Sequence, residues 1–163
     1  MKTVLILLLL TLIIASCSQQ GDNTKQLQAR IDSLQQKLNN TYRPGLGEFM
    51  LGIQEHHAKL WFAGINKNWA LADFEVHEIG ETVDDIKQYC MDRPEVKSIG
   101  TIDPGIAAIN NAIKQKDVDQ FKKGFVELTS NCNTCHKNNQ HGFNVIIIPN
   151  GLPVENQNFK PGN

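Results

Sequence analysis

Residues 67–90 read KNWALADFEVHEIGETVDDIKQYC, and their apolar positions decide the fold class. Ala72, Val76, Ile79, Val83, Ile86 and Cys90 recur at steps of 4, 3, 4, 3 and 4. That period puts all six on one stripe of an α-helix, whereas a half-buried strand would alternate every second residue. Asp, Glu, Lys and Gln fill much of the opposite face. Asn68, just ahead of Trp69, reads as the N-cap, a short side chain able to accept a bond from a first-turn N–H.

The same pattern repeats on both sides. Residues 45–63 carry Leu46, Met50, Ile53, His57 and Leu60, with Gly64 expected as the C′ residue. Pro94 and Gly100 mark 91–102 as a loop. Asp103-Pro104 reads as a cap followed by a first-turn proline, opening a helix with Ile106, Ile109 and Ile113 that ends near Lys116. Asp117 caps a last helix that runs to about Asn138, with Phe121, Phe125, Leu128 and Cys132 on one face. Four amphipathic helices on short loops predict an all-α fold, an antiparallel four-helix bundle over 44–139.

Residues 24–43 form a separate heptad helix, with Leu27, Ile31, Leu34 and Leu38 in an a/d pattern. Two heptads are too few for a stable coiled coil alone. The segment is therefore a stalk that packs on the domain, or the seam of a homodimer through 27–38. Pro44-Gly45 interrupts it. Residues 140–163 hold an apolar run at 143–148, then Pro149, Gly151, Pro153 and Pro161, which predicts an extended tail with at most one short strand.

Residues 1–16, MKTVLILLLLTLIIAS, combine one Lys, an apolar run and small residues. This is a secretory signal, too short to span a bilayer comfortably. Ile14-Ala15-Ser16-Cys17 resembles the lipobox of bacterial lipoproteins. The resemblance implies cleavage before Cys17 and its acylation, with a polar linker over 17–23. An ordinary secreted chain or an uncleaved anchor is the alternative. The expected location is the periplasmic side of a bacterial membrane, an oxidising compartment. With 16 Lys+Arg against 17 Asp+Glu, the chain offers no electrostatic case for nucleic acid. Cys17, Cys90, Cys132 and Cys135 are too irregularly spaced for a disulfide scaffold.

The chemistry sits in Cys132-Asn133-Thr134-Cys135-His136, a C-x-x-C-H motif. Two thiols at this spacing can add to the two vinyl groups of one porphyrin, bringing the adjacent imidazole to the iron. Haem c is the cofactor this predicts. The alternatives are a redox dithiol, for which no βαβ pattern is present, and a cramped zinc site of Cys132, Cys135, His136 and His141. No acid–base pair, nucleophile triad or phosphate loop is legible, so the chain reads as an electron carrier rather than an enzyme.

A C-x-x-C-H near the end of the last helix of an exported bundle resembles the cytochrome c′ class (class II). HHAKLWFAG at 56–64 and NWALADFE at 68–75 are also similar to segments of lipoprotein cytochromes. The likeness covers roughly 45–138 and implies covalent haem on Cys132 and Cys135, His136 as proximal ligand, and redox or gas-binding activity. The N-terminal heptads and the long tail depart from that class, and the tail can cover the haem in a way the class does not.

Met50, His56, His57, His77, Met91 and His141 are the candidates for a sixth iron ligand. His56 and His77 lie off their helices' apolar stripes, and His77 stands between Asp73 and Glu81 in an ion-pair position. Met50 and His57 lie on the stripe about 10 Å apart, so only one can reach the iron. In an antiparallel bundle Met50 is nearer the level of His136, with His57 the lesser candidate. Trp61, Trp69 and Phe74 read as inter-helix packing, Cys90 as a buried free thiol, and Arg43 as a solvated residue or a propionate partner. The leading function is one-electron transfer with an unidentified redox protein. A gas-binding protein for NO or CO, or an interaction module with structural haem, are the other readings.

Overall fold

The computed structural model describes residues 23–162, so the segment 1–16 expected to be a secretory signal, and Cys17, lie outside the described residues. The described chain is all-helical and divides into two compact units, one ending at Arg43 and one spanning Pro44–Asn163. In the first unit, α1 runs over 23–39 and stops short of the expected 43. Its heptad residues Leu27, Ile31, Leu34 and Leu38 are 50 to 64% exposed.

The second unit is an antiparallel four-helix bundle. It comprises α2 (Leu46–Ile65), α3 (Trp69–Tyr89), a 3₁₀ helix (Pro94–Ile102), α4 (Asp103–Gln115) and α5 (Val118–Asn138). α2 packs mainly on α3 and α4 mainly on α5, while α3–α4 and α2–α5 contacts close the bundle. The stripe of α3 is buried throughout, with Ala72, Val76, Ile79, Val83, Ile86 and Cys90 no more than 3% exposed. Asn68 accepts from the Leu71 N–H and Asp117 from the N–H groups of Asp119 and Gln120, so both caps form as read.

Three local expectations are corrected. Gly64 lies inside α2, where a Cβ would intrude on the Phe121 ring. Close packing, not helix termination, explains this glycine. Lys67 takes the C′ position instead, at φ 60°, with Lys67 N–H bonding Gly64 O and Asn68 N–H bonding Ala63 O. This is a Schellman motif. Lys116 and Gln140 end α4 and α5 in the same way. Asp103 is not a cap: it is already helical, because the 3₁₀ helix runs directly into α4 and Ile102 is the N-cap. Phe74 is 53% exposed, since it stands between Ala72 and Val76 and points away from their stripe.

The segment read as a loop, 91–102, is largely the 3₁₀ helix. Its apolar residues Val96, Ile99 and Ile102 recur every third position, and a helix of three residues per turn eclipses them on one face. Ile99 and Ile102 are accordingly buried and Val96 packs against the core. The tail contains no strand among the described residues. It runs back along the bundle from Ile146, bonded to Asn133, to Phe159, which is buried against Phe62, and Lys160, bonded to Asn68. Among the described residues no helix is long and apolar enough to cross a membrane.

Candidate functional site

Two contacts set the register of α2 against α5. His57 Nε2 lies 2.9 Å from Thr129 Oγ1, and Trp61 packs on Phe125 with ring centroids 4.9 Å apart. In an antiparallel pair, equal steps in opposite directions keep level residues level. Going from His57 back to Met50 and from Thr129 on to His136 is the same number of residues, so Met50 stands level with His136. His57 stands two turns away, about 10 Å along the axis.

At that level the bundle opens into a cleft of about 380 Å³, within the range of ligand pockets. Leu46, Ile53, Ile86, Ile99, Ile102 and Ile146 make its walls largely apolar. Met50, His57, Cys132, Cys135, His136 and His141 all line it, brought together from α2, the last turns of α5 and the tail. Three other candidates lie elsewhere. His56 Nδ1 is 2.7 Å from the buried Glu75 carboxylate, a link between α2 and α3. His77 is exposed and paired with Glu81 at 3.1 Å, as its spacing predicted. Met91 is 78% exposed. Arg43 is also exposed, and the arginine that lines the cleft is Arg93.

Hydrogen bonds assign the tautomers. His136 Nδ1 lies 2.7 Å from the Asn144 carbonyl. A carbonyl only accepts, so Nδ1 donates and Nε2 keeps its lone pair, the form in which an imidazole binds a metal. The opposite holds for His57. Thr129 Oγ1 donates its one proton to Phe125 O at 2.8 Å and must accept from His57 Nε2. The ring that remains offers only Nδ1, the nitrogen nearer its own backbone. Burial pushes the His57 pKa down to about 4, so the ring is neutral.

Cys132 and Cys135 are both free. Burial, reinforced by the neighbouring Cys135, pushes the Cys132 thiol up to about 11. Redox dithiols work through the thiolate and have depressed values, so the cleft favours a protonated thiol. No three His, Cys, Asp or Glu side chains converge as a metal set among the described residues. His136 is turned to Asn144 and His141 Nε2 to Glu95 Oε1 at 3.3 Å. The donor set does fit a covalently held haem: two free thiols and an imidazole with an open Nε2 on one helix, a level thioether on another, and apolar surface between them.

Several cleft residues carried no local signal in the sequence. Glu95 accepts from Arg93 at 2.8 Å, and its own backbone N–H, with Arg93 next, holds its carboxyl at about 2. Its other oxygen, Oε2, is buried without a partner among the described residues. Asn139 Nδ2 bonds Ser98 Oγ at 2.6 Å and Cys135 O at 2.8 Å, tying the 3₁₀ helix to the motif. Only the period of three in 96–102 foreshadowed that this segment would be ordered. Comparison with family models, with curated proteins and with solved structures returned no match for the chain.

Proposed function

We propose that this chain is a monohaem c-type cytochrome that carries single electrons, of the cytochrome c′-like kind. The observation that carries the reading is the free Cys132-x-x-Cys135-His136 set in an apolar cleft, with the His136 Nε2 lone pair left open by the bond from Nδ1 to Asn144. Cys132 and Cys135 hold the porphyrin covalently and His136 Nε2 is the proximal ligand. Met50, level with His136, offers its sulfur from the opposing helix. Haem c, when bound, supplies a one-electron couple whose potential a thioether ligand raises. The apolar walls keep water from the site, and His57, neutral and committed to Thr129, packs rather than ligates. The secretory signal supports export, and acylated Cys17 anchors the protein to the membrane, where a separate redox protein exchanges electrons with it.

A denaturing gel stained for haem peroxidase activity tests the reading. Chain produced in a host with haem-attachment machinery should stain at the monomer's mass, and Cys132→Ala/Cys135→Ala should not. An unstained wild-type chain refutes it. Low-spin ferric spectra favour electron transfer. A five-coordinate, high-spin ferric form would transfer the proposal to NO or CO binding.

A further inference from the structure

Asn133, the first residue between the two cysteines, makes a two-bond pairing that its motif does not require. Its Nδ2 donates to Ile146 O at 2.8 Å, and its Oδ1 accepts from Ile146 N–H at 2.8 Å. One side-chain amide thus satisfies both backbone groups of a tail residue, as a neighbouring strand would. Ile146 is two residues beyond Asn144, whose carbonyl accepts from His136 Nδ1. A turn closed by Asn144 N–H on His141 O links that carbonyl back to the end of α5.

Of the apolar residues in this stretch only Ile146 turns its side chain to the cleft wall, where it is half-buried. Phe143, Val145 and Ile147 are 84%, 63% and 63% exposed. Polar bonds from α5 reach the segment 143–147 at two points, His136 on Asn144 O and the Asn133 pair on Ile146, and the Asn133 pair is the one that grips the backbone with two bonds.

We infer that Asn133 is a positioning residue for His136, acting through the tail: it clamps Ile146 so that the Asn144 carbonyl fixes the tautomer and orientation of the imidazole. The inference rests on the haem reading for its consequence, because a ligating histidine with a strong bond at its other nitrogen is a more basic ligand. A more basic ligand stabilises the ferric state and lowers the reduction potential. The tail, foreign to the class the motif resembles, thereby acquires a role.

Two uncharged substitutions test it from opposite sides of the clamp. Asn133→Ala removes both bonds. Ile146→Pro removes the N–H that Asn133 accepts from while keeping an apolar side chain, and it suits extended chain. In the full chain, exchange of the His136 Nδ1 proton with solvent, followed by nitrogen-15 NMR, should speed up at least tenfold in each variant. The double variant should add little, since the two changes break one unit. In the haem-loaded chain the reduction potential should move to more positive values in both. Unchanged Nδ1 exchange in Asn133→Ala overturns the clamp, with or without haem. Faster exchange with an unmoved potential overturns its effect on the ligand. A wild-type chain that takes up no haem refutes the functional reading instead, and the exchange measurement still decides the clamp.

Discussion

The two ends of the bundle are built from the same helices and finished in opposite ways. At one end, Trp61, Trp69, Phe121 and Phe125 meet with ring centroids 4.9 to 6.5 Å apart, Phe121 and Phe125 are fully buried, and Gly64 makes room for the Phe121 ring. At the other, the same α2 and α5 carry Met50 and Cys132 and leave an apolar cleft between them. Aromatic volume closes one end. Interiors are otherwise close-packed, so the end whose apolar walls do not meet is the one with room for the proposed haem.

Substitutions at the closed end should therefore cost most. Phe121→Ala should lose about 3–5 kcal/mol, the range for a large ring removed from a packed core. Gly64→Ala should lose about 1–3 kcal/mol by overpacking against that ring. Urea unfolding measures both. A loss under about 1 kcal/mol for Phe121→Ala would mean that the aromatic end is as loosely packed as the cleft.

His57 stands at the boundary, and its burial has a pH signature. Its ordinary value of 6.5 falls to about 4 in the fold. Between those limits the unfolded chain holds the extra proton, so stability is fully present above pH 6.5 and declines as the pH falls towards 4. At about 1.4 kcal/mol per pH unit the full loss is roughly 3 kcal/mol. His57→Leu should flatten this window in urea titrations between neutral and acid pH. An unaltered acid profile would assign the loss to other groups.

Met50, at the open end, should matter to the spectrum more than to stability. It is half-buried and packs on the core from the cleft rim, so Met50→Ala should lose only about 1 kcal/mol, less than a fully buried methionine. In a chain loaded with the proposed haem, the ferric form should become high-spin and lose its weak far-red sulfur-to-iron band, and the ferrous form should gain affinity for CO. The level match with His136 predicts this and predicts no such change for His57→Leu. The reverse outcome would mean that the register of α2 against α5 is misread.

Much of the fold was legible, and the misreadings have separate causes. The α3 stripe and the Asn68 and Asp117 caps are local patterns, and each formed as read. Gly64 was taken for a helix end because a glycine signals both a stop and a close approach, and the deciding Phe121 lies on another helix. Pro94 and Gly100 masked the period-three face of the 3₁₀ helix. Phe74 was grouped with the tryptophans by type, although its place on α3 turns it to solvent. The site was legible in its thiols, His136 and the level of Met50. The groups that hold it came from elsewhere: Ser98 and Glu95 from the 3₁₀ helix, Asn144 and Ile146 from the tail. Those pairings are long-range and leave no spacing to read.

The smallest effect is the sharpest test of the contrast, because it repeats one substitution on one helix. Gly52 lies in the interior of α2 and Gly64 in its last turn, but a Cβ at Gly52 would meet nothing within 4 Å. With no clash, only helix propensity is left, and Ala exceeds Gly in a helix interior by about 0.5–1 kcal/mol. Gly52→Ala should therefore raise the urea midpoint while Gly64→Ala lowers it. The sign, rather than the size, carries the information. Propensity favours Ala over Gly at both helical positions, so opposite signs must come from what each methyl meets, open space at one and the Phe121 ring at the other. If both variants were stabilised, the aromatic end would have slack enough to take a methyl, and the difference between the two ends would be one of residue type alone.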